Sequence, residues 1–152
     1  MTKRKLLLCV PPLALCLLDQ TITLAGQSSL YWSGHYADSN EGNPLFNWLL
    51  QQHPLAFEAG IAVWIVLFGS LILVLPRLAA MVVSIAIVLG HTWGAATWLC
   101  WKVQHGYWLA LGLFLASAIL IVWSWEMFGK RAVLTDRSPP AAVLRAGDSK
   151  VD

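Results

Sequence analysis

Charged residues are scarce in this chain. Asp, Glu, Lys and Arg make up 12% of its 152 residues, whereas a soluble domain carries about 25%. Hydrophobic residues make up 58%, and the mean hydropathy is +0.64. This composition excludes an ordinary soluble domain and is typical of an integral membrane protein. The length indicates one domain.

Several chemistry-bearing patterns are also missing. The three cysteines show neither zinc-ligand spacing nor a Cys-x-x-Cys motif, which argues against a zinc finger or a thiol-oxidising enzyme. Cys9 and Cys16 are about 10 Å apart along one helix, too far for a disulfide. No stripe of basic and aromatic residues is present, so nucleic acid is not an expected partner. His91 is the only histidine inside an apolar run, which argues against a haem held by two histidines.

Four apolar runs each approach the roughly 20 residues that cross a bilayer as a helix. They cover residues 6–26, 55–76, 78–100 and 107–128. The joins after the second and third runs are short, so the helices they connect should be antiparallel neighbours. The sequence therefore predicts an all-α fold, a four-helix transmembrane bundle within a membrane domain of residues 1–128.

Lysine and arginine are distributed unevenly around these runs. They precede the first run, follow the second at Arg77 and recur after the fourth, but the loop 27–54 has none. The positive-inside rule predicts that both termini are cytoplasmic and that this loop is extracytoplasmic. We expect a bacterial inner-membrane protein with a flexible cytoplasmic tail at 129–152. The basic start, apolar run and Ala25 also fit a cleaved signal, although Pro11-Pro12 and Asp19 interrupt the run.

The loop 27–54 should be structured, because it is rich in aromatic residues. They are Tyr31, Trp32, Tyr36, Phe46 and Trp48. Asn43 is placed to cap a short helix that begins at Pro44, and Pro54 would separate that helix from the second run. The loop is therefore expected to fold over the extracytoplasmic end of the bundle.

Small residues predict close contacts between helices. Gly90 and Gly94 form a Gly-x-x-x-Gly pattern in the third run, and Gly112 and Ala116 repeat the spacing in the fourth. Such residues let helix backbones approach one another inside a membrane. We expect the helix face beside His91 to be tightly packed.

Three ionisable residues interrupt three different runs: Asp19, Glu58 and His91. A charge-capable side chain in the hydrocarbon costs about 2.5–3.5 kcal/mol on insertion scales, so such residues usually face a protein interior and find partners. We predict that these three converge under the long loop. Thr23 follows Asp19 by one helical turn and could donate a hydrogen bond to its carboxylate.

Carboxylates with imidazole form a ligand set for zinc, iron or manganese. Asp19, Glu58 and His91 are the candidate ligands, with His35 or His53 from the loop as further candidates. The same residues could handle protons, act as catalytic acid and base, or form a structural polar network. No His-Glu-x-x-His motif chooses among these interpretations.

In these features the chain resembles an uncharacterised family of small prokaryotic multi-span membrane proteins. The family pattern places Asp and Thr late in the first helix and an acidic-x-Asn-Pro motif in the following loop. The matching residues are Asp19, Thr21 or Thr23, and Glu41-Gly42-Asn43-Pro44. The chain departs from the pattern at Glu58, where a basic residue would be expected. The resemblance implies a several-helix bundle, no established activity, and contact between Asp19 and Asn43.

The sequence thus favours a small accessory or scaffold subunit that packs against other membrane proteins or itself within the lipid bilayer. Exposed Trp64 and Trp93 and the small-residue faces suggest such partners. Thr23 and Asn43 would be structural polar residues, and the polar cluster could hold a divalent metal. Two alternatives remain: a membrane-embedded metal-dependent hydrolase using Asp19, Glu58 and His91, and a small proton-coupled transporter using Asp19.

Overall fold

A computed structural model describes the backbone of residues 2–136 and the side chains of residues 5–127. This part of the chain is helical and contains no strand, which confirms the all-α prediction. The α-helices are α1 (Thr2–Ala25), α2 (Ser29–Trp32), α3 (Pro44–Gln52), α4 (Pro54–Val74), α5 (Arg77–Lys102) and α6 (Gly106–Asp136). A 3-10 turn, Tyr36–Asp38, lies between α2 and α3.

Four of these helices are long and apolar enough to cross a membrane, as an integral membrane protein requires. The qualifying segments are Lys5–Ala25, Pro54–Val74, Arg77–Lys102 and Gly106–Met127. They start and end within a few residues of the predicted runs. Helix α6 continues to Asp136, so the first residues of the predicted flexible tail are helical. The tail from residue 137 onward lies outside the described residues, and the orientation of the termini stays a prediction.

Helices α1 and α5 form the centre of the bundle. Each contacts both remaining long helices, whereas α4 and α6 make no contact with each other within the described part of the chain. The bundle is therefore a diamond in cross-section, with α4 and α6 at opposite corners. The segment 27–53, which we call the cap, lies at the end of the bundle where α1 ends and α4 begins.

Lys5 ties the start of α1 to the end of α4. Its Nζ donates to the carbonyl oxygens of Leu73 (2.8 Å) and Leu75 (2.6 Å). The last carbonyls of a helix have no partner within the helix, and a cation is favourable beside them. This contact fixes the two helices as antiparallel at the end of the bundle opposite the cap.

Two consecutive prolines lie inside α1, and a serine from α5 compensates for one of them. Pro12 has no N–H, so the carbonyl of Leu8 loses its normal helical donor. Ser84 supplies a replacement, because its hydroxyl donates to Leu8 O at 2.7 Å in a buried position. In a membrane such a carbonyl must find a partner within the protein.

Ser84→Ala is expected to lower the free energy of unfolding by about 1–3 kcal/mol, since it leaves the buried Leu8 carbonyl without a donor. Unfolding by sodium dodecyl sulfate in mixed micelles, followed by circular dichroism, measures the change. Ser70→Ala is the matched control, because Ser70 is exposed on α4. Equal losses in the two variants would contradict this role for Ser84.

The cap is ordered by an aromatic cluster and by helix caps. Tyr31 is fully buried, packs against Tyr36 and donates its hydroxyl to Leu50 O at 3.3 Å. Burial, with a smaller effect from Tyr36, raises the pKa of the Tyr31 hydroxyl, which keeps it protonated as a donor. Asn43 caps α3, with Pro44 in its first turn, as the sequence predicted. The prediction of a structured loop is thus confirmed.

The small-residue prediction is wrong for most of its positions. Gly90 and Gly112 each face open space, with no atom within 4 Å of where a Cβ would lie, and Ala116 is exposed. Only Gly94 makes a close contact, and it does so with a side chain of α1. Small residues permit close packing, but here the α5 face at Gly90 borders a cavity.

Candidate functional site

Asp19 and His91 meet between α1 and α5. The Asp19 Oδ2 and His91 Nδ1 atoms are 2.9 Å apart, and their side chains are 19% and 15% exposed. The predicted convergence of these two residues is therefore confirmed. Both lie inside helices that can cross a membrane. Each therefore gives the other a hydrogen-bond partner, which the hydrocarbon of a bilayer cannot supply.

A third residue, Trp64 of α4, completes this chain of hydrogen bonds. Its indole N–H donates to His91 Nε2 at 3.2 Å. Because an indole nitrogen can only donate, Nε2 must accept, and the His91 proton lies on Nδ1. His91 is therefore a neutral imidazole that donates to the Asp19 carboxylate. Helices α1, α5 and α4 are thus linked by one polar chain.

Gly94 makes room for the Asp19 carboxylate. A Cβ at this position would lie 2.8 Å from both carboxylate oxygens and 3.1 Å from Cγ. The two contacts to the oxygens are shorter than real Cβ atoms show, so with any larger residue the carboxylate or the helix must shift. Gly94 lies one turn from His91 and thereby helps to set the position of Asp19.

Gly94→Ala is expected to destabilise the protein by about 1–3 kcal/mol, because the added methyl group overpacks the site and pushes Asp19 from His91. The histidine ring resonances in nitrogen NMR should change at the same time. Gly90→Ala, with open space around it on the same helix, should leave the His91 resonances unchanged and should not destabilise the protein. Unchanged His91 resonances in Gly94→Ala would contradict the proposed contact.

Glu58, the third predicted member, lies beside this pair and bonds to a different residue. Its carboxylate accepts a hydrogen bond from Gln20 Nε2, and Gln20 follows Asp19 on α1. The other Gln20 atom, Oε1, is buried and has no hydrogen-bond donor in the described part of the chain. Glu58 is therefore linked to α1 through Gln20, and within the described residues it makes no hydrogen bond to His91.

The two predicted structural residues hold the cap in place and make no bond to Asp19. Thr23 donates to the Glu41 carboxylate at 3.4 Å, so the expected Thr23–Asp19 bond is wrong. Asn43 donates its backbone N–H to the same carboxylate at 2.9 Å and uses its side chain to cap α3. The Asp19–Asn43 bond expected from the family resemblance is likewise absent among the described residues. Nearby, Gln27 exchanges two hydrogen bonds with the Asn40 backbone.

The loop histidines have local roles in the cap. His35 Nδ1 pairs with the Ser33 hydroxyl at 3.2 Å, and His53 Nδ1 accepts from the Leu55 backbone at the start of α4. Within the described residues, no three His, Cys, Asp or Glu side chains are grouped to hold a metal ion. The arrangement therefore gives the predicted metal site no support, and that site stays a prediction.

A cavity of about 820 Å³ lies between α4 and α5, has α1 along one wall and extends under the cap. Asp19, His91 and Trp64 line it, together with Glu41 and Asn43 from the cap. Most of the remaining wall is apolar or aromatic. These residues are Cys16, Phe46, Phe57, Ile61, Ala86, Ile87, Gly90, Trp93, Gly94, Trp98 and Trp101. The polar chain is therefore part of the wall of a large concave space.

Sequence reasoning missed Trp64 and Gln20 as members of the site. Trp64 suggested a partner contact, but its indole N–H is a polar group that needs an acceptor, and this requirement was the available signal. Gln20 gave a similar signal, because an amide inside a membrane-spanning segment also needs partners. No family model, curated protein or solved structure matches this chain. The family resemblance stays an interpretation of the motif residues.

Proposed function

We propose that this protein binds a small amphiphilic molecule inside the membrane, in the cavity between α4 and α5. The observation that carries the proposal is the cavity itself, about 820 Å³ of mostly apolar wall with the Asp19–His91–Trp64 chain on one side. Pockets for small molecules are typically about 300–1,000 Å³, apolar, and supplied with a few placed polar groups. The apolar part of an amphiphile would contact the apolar wall, and its polar end would contact the Asp19–His91–Trp64 chain.

The route into the cavity supports a ligand that arrives from the lipid. Gly90, Trp93 and Thr97 follow one another along a face of α5, and all three are exposed as well as lining the cavity. Trp93 is 67% exposed. The cavity therefore opens sideways along a helix that can cross a membrane, so a ligand can enter without passing through the cap.

The experiment uses bromine-tipped octyl compounds, since bromine quenches tryptophan fluorescence on contact and four tryptophans line the cavity. These are Trp64, Trp93, Trp98 and Trp101. Three probes share the octyl chain and differ at the polar end, which is a hydroxyl, a sulfate or a trimethylammonium group. With purified full-length protein in dodecylmaltoside, we expect saturable quenching by at least one probe.

Filling the cavity should remove this saturable binding. Gly90→Leu places a side chain in cavity space and should weaken the tightest probe by about tenfold or more. Gly112→Leu makes the same change on α6, where the surroundings are also open but Gly112 does not line this cavity, and should leave Kd unchanged. Quenching that never saturates, or equal Kd values in both variants, would overturn the proposal.

The three interpretations drawn from the sequence, an accessory subunit, a hydrolase and a transporter, rest on other observations. The accessory-subunit interpretation rests on exposed apolar helix faces, which contact with lipid alone also explains; co-purification of a stoichiometric partner would favour it. The hydrolase interpretation needs a bound metal, which elemental analysis of purified protein tests. The transporter interpretation draws on the Asp19 carboxylate in the cavity, and Asp19→Asn should then abolish proton-coupled flux in liposomes.

A further inference from the structure

We infer that the cavity selects an amphiphile whose polar end is positively charged, an alkylammonium or a related organic cation. This inference rests on the proposed function and adds the charge of the ligand. Its basis is the juxtaposition of carboxylates and aromatic rings around one cavity, whose lining among the described residues contains no lysine or arginine.

Two carboxylates face the cavity without a cation to balance them. The Asp19 carboxylate has only a neutral imidazole on Oδ2, and its Oδ1 accepts no hydrogen bond from a described residue. Glu41 accepts from Thr23 and from the Asn43 backbone, which are both uncharged donors. Away from bulk water such charges interact strongly with an opposite charge, so a cationic group is the natural complement.

The hydrogen bond from Trp64 indicates a neutral His91, and the wall is acidic for either charge of His91, because Glu41 has only uncharged donors. A protonated His91 would offset Asp19, but the Trp64 N–H occupies the nitrogen that would take the second proton. Gln20 also lines the cavity, and its buried Oε1 has no hydrogen-bond donor within the described residues. This oxygen adds another acceptor to the polar wall. The polar wall therefore presents acceptors in excess of donors.

The aromatic part of the wall favours the same ligand. Four tryptophans and two phenylalanines line the cavity, and a cation within about 6 Å of such a ring is attracted to its face. One ring already shows this behaviour: Lys102 Nζ lies 5.5 Å from the centroid of the Trp98 ring. Lys102 itself is not part of the cavity lining.

The three bromine-tipped probes test this inference, because they share the apolar chain. We expect the trimethylammonium probe to bind about tenfold tighter than the hydroxyl and sulfate probes. If all three saturate with equal Kd values, the inferred charge selectivity is wrong and the proposed function stands. If none saturates, both fall.

Charge-neutralising variants identify the residues responsible. Asp19→Asn and Glu41→Gln should each weaken the trimethylammonium probe more than the hydroxyl probe, so that the preference for the cation falls. Asp19→Asn keeps an oxygen for the bond from His91, and Glu41→Gln keeps an oxygen for one of its two bonds, from Thr23 or from the Asn43 backbone, so the fold should persist. Asp38→Asn is the matched control, because Asp38 is exposed in the cap and does not line the cavity. Unchanged selectivity in both cavity variants would overturn the inference.

A cationic polar end could belong to a choline lipid headgroup or to a free organic amine. A short-chain phosphatidylcholine, added below its micellar concentration, separates these sources. Displacement of the trimethylammonium probe indicates a lipid headgroup, and retention indicates a free cation. Both outcomes support the same ligand chemistry, whereas displacement by a phosphatidylglycerol of equal chain length, which carries no cationic group, contradicts it.

Discussion

Replacing His91 with leucine is expected to destabilise the protein more than replacing both His91 and Asp19 with leucine. The single change leaves the Asp19 carboxylate, only 19% exposed, without the one hydrogen-bond donor it has among the described residues. Removing one partner of a buried polar pair costs more than removing both, because the remaining group keeps its desolvation penalty. A hydrogen bond to a charged group contributes about 1.5–3 kcal/mol, which sets the expected size of the coupling.

A double-mutant cycle measures this coupling. Asp19→Leu, His91→Leu and the double variant are unfolded in mixed micelles, and their free energies of unfolding are compared with that of the unmodified protein. His35→Leu is the control, since His35 is an exposed histidine of the cap. Strictly additive losses from the two single replacements would mean that Asp19 and His91 do not stabilise one another.

Local rules were enough to predict the four long helices of this protein and α3, but not α2 or the 3-10 turn. Apolar runs of bilayer length located α1, α4, α5 and α6, and the Asn43-Pro44 pair located the start of α3. These features depend on residues close together in the sequence, where hydrophobicity and capping act directly. The meeting of Asp19 and His91 was also predictable, because isolated polar groups in apolar helices need each other.

The partners of individual polar groups were much less predictable. Thr23 shares a helix face with Asp19, but its hydroxyl bonds to Glu41, which the cap brings from a distant part of the sequence. Gly90 and Gly94 look equivalent in sequence, yet one borders a cavity and the other touches a carboxylate. A small residue is compatible with a close contact and with an empty space, and only the neighbouring helices decide which occurs.

Gly106→Ala is expected to be the most destabilising exchange of a glycine for alanine in the described chain, by about 3 kcal/mol or more because overpacking here meets rigid backbone. An added Cβ would overlap the Leu99 carbonyl group and lie 3.1 Å from the Cys100 Cα. No side chain can rotate to relieve these contacts. The preceding residue, His105, already has a φ of 62° in the tight turn between α5 and α6, so the turn itself would have to open.

Opening this turn should also affect the cavity, because Trp98 and Trp101 lie at the same end of α5 and line its wall. Gly106→Ala should therefore lower the detergent concentration of unfolding and weaken the tightest bromine-tipped probe. Gly112→Ala is the control on α6, where open space surrounds the glycine and alanine improves helix propensity by about 1 kcal/mol. Equal stability of the two variants would show that the α5–α6 turn tolerates a side chain at this position. The close approach of residues 99 and 106 would then not be needed to position the cavity wall.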